Sequence, residues 1–411
     1  MAGRPSYIKC QGVKNHSGNI LILAVAEDSK ILASGGYEGT RVWSTNTMTQ
    51  LKRPSAVGSR GTTGSLLWVR QADEPRDVLY SGTQNGYFFA WRQANEIFEE
   101  TFAIQMTHPG KITGLGFDTI NNRLCICSRN DIVQSWSIFK DPMTGKWSAQ
   151  NIFSQKYTNL SPQAILFTAF DNAKDRDILV FGLHNNGPIY TLRGKTGEIA
   201  SEWSAGAKIG DAVANWREGI LCLDDPTAGP TLFRLTAQTK ARVFEIPRER
   251  QYEMHPRHVS FAENGLAVVA GSDHGVVYVF ETRTGDLLQK LEVGVSHWVQ
   301  AVATAEIDGV PIIFAALMRA DDGWEEIFVW KRAHDHSIGW NKIATFGKLL
   351  VVLGCLVFIY QNLAGYMEAR TSLGVANADT DARAGPMLMQ EIVRVGHDVG
   401  KEVVRASFED L

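Results

Sequence analysis

The stretch ILASGGYEGTRVWS, residues 31–44, decides the fold, because it sets two short strand-like segments on either side of a glycine-containing turn. Gly39 supplies the positive φ that two strands need to reverse direction without a Cβ clash. The second segment ends in a large aromatic residue, Trp43. The stretch therefore predicts a β-hairpin whose second strand carries tryptophan into a core.

This aromatic or aliphatic strand recurs along the chain. From Trp43 to Trp330 the mean spacing is about 48 residues, slightly longer than the roughly 40 to 45 residues of a four-stranded propeller blade. Seven copies predict seven sheet units, with the excess length in loops. The copies are residues 41–44, 89–92, 134–137, 189–192, 233–235, 278–281 and 328–331.

Two further elements repeat in step with the aromatic strand. Some eight to ten residues upstream, a strand runs into a turn of small residues, and Gly86, Gly187 and Gly275 close further copies of that turn. Downstream, a Thr-Gly turn leads towards an outer strand at residues 143–146, 195–198 and 283–286. The three elements together predict antiparallel units of four strands.

This order of strand, small-residue turn, aromatic strand and Thr-Gly turn resembles the WD40 repeat family over roughly residues 7–333. The resemblance implies an all-β, seven-bladed β-propeller. Histidines at 16, 108 and 297 stand where the family's Gly-His pair opens a blade. The Asp that follows the family's aromatic residue is replaced throughout, so we expect its buried His-Ser-Trp-Asp hydrogen-bond network to be incomplete. The replacements are Ser44, Arg92, Ser137, Arg193, Glu281 and Lys331.

The last copy ends at Trp330-Lys331-Arg332 without a Thr-Gly turn or an outer strand. An uncovered strand edge invites aggregation, so another segment must pair with it. Residues 7–10, Tyr-Ile-Lys-Cys, precede the first unit and have the composition of a strand. We expect them to complete the final blade, which gives a propeller domain over residues 1–335.

An uncharged run follows the propeller at residues 349–367, after a linker at 336–348. As a helix its length approaches the roughly 30 Å of a bilayer's hydrocarbon core. We therefore predict a single transmembrane helix, with a buried helix packed on the propeller as the alternative. Lys331, Arg332, Lys342 and Lys348 precede the run, so the positive-inside bias predicts a cytosolic propeller at the endoplasmic reticulum or another endomembrane. In the tail, 368–411, helical spacing of apolar residues suggests an amphipathic helix at 387–405, although a solvated tail fits equally well.

Composition and motifs argue against several classes of function. A net charge of -3 provides no positive field for nucleic acid. The five cysteines form no CxxC pair, which indicates a reducing compartment. Cys125 and Cys127 fit small core residues better than metal ligands. The phosphate-loop and dinucleotide glycine patterns are both incomplete, so we expect no enzyme, no cofactor and no metal.

Binding of other proteins is the function that this architecture favours, because loops on a rigid scaffold concentrate contact groups. We predict a membrane-anchored interaction scaffold whose partner contacts the hairpin tips on one face. An alternative, a regulatory exchange factor for a small GTPase at the endoplasmic reticulum membrane, rests on the resemblance in architecture alone. The predicted contact residues are Tyr37, Gln84, Arg129, His184, Asn185, His274 and Trp324.

Overall fold

The computed structural model describes residues 6–333 except for 17, 53–59, 72–73, 75, 95–96, 170–174, 185, 250–254, 295–296 and 319–324. Contacts divide the chain into two units, Met1–His334 and Asp335–Leu411. All the described strands belong to the first unit. The predicted linker, transmembrane helix and tail helix lie outside the described residues.

The described residues form 27 strands, arranged in seven antiparallel sheets, and one short 3-10 helix at Glu263–Gly265. Blade 1 contains β2 (Ile20–Val25), β3 (Ile31–Gly36) and β4 (Gly39–Ser44). Blade 2 contains β5 (Thr63–Val69), β6 (Val78–Thr83), β7 (Tyr87–Ala94) and β8 (Ile97–Gln105). Blade 3 contains β9 (Ile112–Asp118), β10 (Arg123–Ser128), β11 (Ile132–Lys140) and β12 (Trp147–Lys156).

Four more sheets complete the set. Blade 4 contains β13 (Pro162–Phe167), β14 (Ile178–Gly182), β15 (Pro188–Leu192) and β16 (Ile199–Ser204). Blade 5 contains β17 (Ala212–Asn215), β18 (Ile220–Asp225), β19 (Gly229–Arg234) and β20 (Thr239–Val243). Blade 6 contains β21 (Val259–Ala262), β22 (Ala267–Ala270), β23 (Val276–Glu281) and β24 (Leu287–Glu292). Blade 7 contains β25 (Trp298–Ile307), β26 (Val310–Met318), β27 (Glu325–Arg332) and β1 (Tyr7–His16).

The seven-bladed propeller predicted from the repeat is confirmed. Each aromatic or aliphatic copy falls on the third strand of its blade, and the turns around Gly145, Gly197 and Gly285 connect third strands to fourth strands. Gly39 has a φ of 90° and Gly86 a φ of 74°, as the reversal requires. In blade 1 the described residues give three strands and one further bridge, Trp43 to Gln50.

The first strand of the chain closes the ring on the last blade. Tyr7 pairs with Arg332, and Cys10 pairs with Val329, which is the pairing expected for residues 7–10. The strand is longer than expected, because it continues to His16 across two irregularities in register. Val13 lies beyond the first of these and is buried, so the extension adds apolar contact.

The core lies between the blades. Seven clusters of buried apolar side chains are found, and each joins two neighbouring blades, including the seventh and the first. Phe88 of blade 2 and Trp136 of blade 3, for example, have ring centroids 4.9 Å apart. Removal of apolar surface from water at every junction therefore stabilises the ring as a whole.

Candidate functional site: the loop face and the mouth of the central channel

One end of the blades carries two sets of connections. Because the strands in each sheet are antiparallel, the turns between second and third strands emerge at the same end as the links from each blade to the next. We call this end the loop face. The predicted contact residues that the structure describes all lie on it, in five different blades: Tyr37, Gln84, Arg129, His184 and His274. Asn185 and Trp324 lie outside the described residues.

The five described residues differ in how available they are. Tyr37 is 59% exposed, and Gln84, Arg129 and His184 are also exposed. His274 is only partly exposed, since its Nδ1 lies 2.7 Å from Asp273 Oδ1 and its Nε2 lies 2.9 Å from the Tyr278 hydroxyl. The structure therefore exposes four of these side chains to solvent, whereas the fifth is hydrogen-bonded within its own blade.

Blade 1 shows how much of the expected buried network is present. His16 Nε2 lies 2.6 Å from Ser34 Oγ, and Trp43 Nε1 donates to the same oxygen at 2.8 Å. The carboxylate nearest to the other ring nitrogen of His16 belongs to Glu38, at 4.0 Å. The His-Ser-Trp part of the network thus forms, and a glutamate on the hairpin turn stands beside it.

The central channel opens on the loop face. The first strands of the seven blades contact one another in succession and enclose a cavity of about 320 Å³. Leu23, Leu66 and Ile165 give it an apolar wall, while Asp211, His258 and Thr304 provide polar groups. Such a mixture of apolar wall and few polar groups is typical of small binding sites.

Two residues that directly precede first strands, Asp211 and His258, line the cavity at its loop-face end, which we call the channel mouth. Asp211 precedes β17, and one of its carboxylate oxygens accepts a hydrogen bond from the backbone N–H of Val259, in the next blade, at 3.0 Å. Burial raises the pKa of Asp211 to about 7, although backbone N–H groups of Val259 and Ala212 act against this. The carboxyl group therefore changes its charge near neutral pH.

His258 occupies the equivalent position in blade 6. Its backbone N–H donates to the carbonyl oxygen of Gln300 at 2.9 Å, while its Nδ1 has no hydrogen-bond partner among the described residues. Burial lowers the pKa of His258 to about 4; the charge of Asp224 opposes this shift and that of Lys111 adds to it. The imidazole is thus neutral at pH 7, and its Nδ1 is a buried ring nitrogen.

An ion pair beneath the mouth joins blade 5 to the link that follows it. Arg257 donates to Asp224 Oδ1 from Nε at 3.1 Å and from Nη2 at 2.9 Å, and Nη2 also donates to the carbonyl of Asp225. Both side chains are buried. The close approach depends on Gly210, since a Cβ there would collide with the Asp224 carboxylate.

The mouth residues were not predicted as a site from the sequence. The signal that could have found them is positional, because a charged residue directly precedes an apolar first strand at Lys111 and Asp211. Cys125 and Cys127 belong to the core between blades 3 and 4, as was predicted from the sequence. Burial raises the pKa of the Cys127 thiol to about 12.

Comparison with known proteins does not identify a family. No family model and no curated protein matches the chain. The architecture defines the class as a seven-bladed β-propeller, in agreement with the fold that the repeat pattern implied. Within the described part of the chain, none of the helical structure is long and apolar enough to span a membrane.

Proposed function

We propose that this chain is a membrane-anchored scaffold that binds a partner protein on the loop face of its propeller. The observation that carries the proposal is the set of exposed tips in four consecutive blades, Tyr37, Gln84, Arg129 and His184, presented by a ring whose blades are packed together through continuous apolar cores. A rigid frame lowers the entropic cost of binding, because the contact groups are already in place.

Tyr37 is the strongest candidate for an anchor among these residues. An exposed aromatic ring offers a large contact area with few rotatable bonds, and tyrosine is enriched at the hot spots of interfaces. Its backbone N–H donates to the carbonyl of Asn19 at 3.2 Å, which holds the turn against the link from blade 7. The ring is thus presented from a fixed position.

Proximity labelling of the full chain in cells tests this proposal. We expect a Tyr37→Ala, Gln84→Ala, His184→Ala variant to lose most labelled neighbours of the wild-type protein. The control carries Met143→Ala and Leu266→Ala, which are 92% and 70% exposed on turns at the opposite end of the blades. Retention of the same neighbours by the loop-face variant, or equal loss in the control, would contradict the proposal.

Membrane anchoring rests on the uncharged run at residues 349–367. Alkaline carbonate extraction of membranes tests it, since a spanning helix should keep the chain in the membrane pellet. Deletion of residues 349–367 should move the chain to the supernatant. Protease treatment of sealed vesicles then tests whether the propeller faces the cytosol, as the positive residues before the run predict.

The exchange-factor alternative supposes the same anchored propeller, with a small GTPase as the partner. Nucleotide-release assays against a panel of secretory GTPases separate it from passive scaffolding. Accelerated release by the wild-type chain but not by the loop-face variant would favour the exchange factor.

A further inference from the structure

We propose that Lys111 and Arg129 form an anion-binding site at the edge of the channel mouth, and that its ligand is a side-chain carboxylate of the partner protein. This inference rests on the proposed function and names the chemistry that the partner must present. It concerns blade 3, where both residues lie at the loop face.

The backbone holds the two residues side by side. Arg129 donates its backbone N–H to the carbonyl oxygen of Lys111 at 2.9 Å, so the turn after β10 is tied to the residue before β9. The stem of Lys111 runs over blade 2, because a Cβ on Gly64 would lie 3.4 Å from Lys111 Cε. Lys111 is half-buried and Arg129 is exposed, so Lys111 is the less accessible residue of the pair.

Neither side chain forms an ion pair or a hydrogen bond with another described residue. In this they differ from four arginines that pair with acidic side chains. Arg60 is paired with Glu100, Arg92 with Glu74, Arg123 with Asp118 and Arg257 with Asp224. The acid on the turn of Arg129 is Asp131, and its carboxylate accepts from the backbone N–H groups of Ser161 at 2.6 Å and Asn159 at 3.3 Å. That acid is therefore engaged elsewhere.

The electrostatics agree with two cations that no described acid neutralises. Burial lowers the pKa of Lys111, and the like charge of Arg129 lowers it further. The positive charge of Lys111 also helps to lower the pKa of His258, on the far side of the channel mouth. Taking an ammonium group out of water is costly unless an opposite charge comes with it. A carboxylate between Lys111 and Arg129 would remove that cost on binding.

The surroundings favour a single carboxylate over an extended polyanion. The site offers two cationic side chains in one blade, and the chain as a whole has a net charge of -3. A nucleic acid gains its affinity from many cations along its backbone, which two side chains in one blade do not provide. A single aspartate or glutamate on a protein segment needs only the blade 3 pair.

Fluorescence anisotropy of the full chain in a neutral detergent tests the site. The probe is a fluorescein-labelled peptide of alternating Glu and Ser, and a Gln-Ser peptide is its uncharged match. We expect Lys111→Gln and Arg129→Gln each to weaken binding of the acidic peptide about tenfold, the ratio that corresponds to about 1.4 kcal/mol. Lys146→Gln is the control, because Lys146 is exposed on the turn between β11 and β12, at the opposite end of the blade.

Several results would overturn the site: no measurable binding of the acidic peptide, equal binding of the Gln-Ser peptide, or the same loss in Lys146→Gln. Stronger competition by inorganic phosphate than by free glutamate would overturn the assignment to a protein carboxylate. A second readout follows the pH dependence of Lys111 acetylation by mass spectrometry. The midpoint should move to higher pH when the acidic peptide is bound, and an unchanged midpoint would count against direct contact.

Failure of the anion site and failure of the proposed docking face give different experimental results. If the Tyr37, Gln84 and His184 variant loses its neighbours while Lys111→Gln and Arg129→Gln keep theirs, the docking face stands and the anion site fails. If the acidic peptide binds through Lys111 but the loop-face variant keeps every neighbour, the anion site stands and the docking proposal fails.

Discussion

Gln289 binds Tyr7 through both ends of its side-chain amide. Its Oε1 accepts from the backbone N–H of Tyr7 at 2.7 Å, and its Nε2 donates to the Tyr7 carbonyl at 2.9 Å. The Tyr7 hydroxyl donates to Glu263 at 2.8 Å, and Glu263 also pairs with Arg332. The outer strand of blade 6, β24, thus binds β1 through side-chain hydrogen bonds. These add to the backbone pairing between β1 and β27.

The two hydrogen bonds of Gln289 predict that Gln289→Ala destabilises the protein. The substitution removes two hydrogen bonds, at a cost of about 1–3 kcal/mol in the free energy of unfolding. Thermal unfolding followed by circular dichroism should show a Tm lower by several degrees. Gln150→Ala is the matched control, since Gln150 is an exposed glutamine on the outer strand β12 of blade 3. A Gln289→Ala protein as stable as this control would show that backbone pairing alone closes the ring.

Asp211→Asn should change how stability depends on pH. The pKa of Asp211 is raised to about 7, so its contribution is fully present below the unfolded pKa of about 3.9 and is lost as the pH rises through 7. The asparagine keeps an acceptor for Val259 but does not ionise. The unfolding free energy of the variant minus that of the wild type should therefore increase from pH 4 to pH 7. The upper limit of this increase is about 1.4 kcal/mol per pH unit. The actual increase should be smaller, because the carboxyl group is only half-buried. Urea titrations across this range measure the difference, and a flat difference would contradict the assigned pKa.

His258→Gln should produce the opposite trend. The pKa of His258 is lowered to about 4, so its contribution is fully present above the unfolded pKa of about 6.5 and is lost as the pH falls towards 4. Glutamine cannot take up that proton. Relative to wild type, the variant should therefore gain stability as the pH falls from about 6.5 to 4. The same urea titrations apply, and a variant that instead loses stability relative to wild type on acidification would rule out a neutral, buried imidazole.

Arg257→Ala should be the most destabilising of these substitutions. It leaves the buried carboxylate of Asp224 without its cation, which typically costs about 3–5 kcal/mol. Arg193→Ala is the control, because that arginine is 62% exposed and pairs with Asp177 at 3.1 Å, and exposed pairs contribute about 1 kcal/mol or less. Urea unfolding at pH 7 should separate the two variants clearly. Equal losses would mean that Asp224 finds another partner or takes up a proton.

The fold could be predicted because its signals are local. Trp43, the turn around Gly39 and the Thr-Gly turn at Gly145 each specify one strand or reversal, and their regular repetition specifies the ring. The position of the hairpin tips on one face also followed from the turns. His274 shows the limit, since its engagement with Tyr278 depends on the third strand of its blade.

The channel mouth could not be predicted in the same way. Lys111, Asp211 and His258 belong to three different blades and lie far apart in sequence. Closure of the ring alone brings them to a common opening, and their pKa shifts arise from burial that no single repeat encodes. The pairing of Arg257 with Asp224 likewise depends on how the link after blade 5 folds back onto that blade.

The pairing of β1 with β27 has a consequence for synthesis on the ribosome. Tyr7 is translated before its partner Arg332, which follows more than 300 residues later. At a translation rate of about 5–20 residues per second, β1 remains without its partner strand β27 for on the order of tens of seconds. Throughout that interval the nascent chain carries an unmatched strand, which chaperones or the already completed blades must shield.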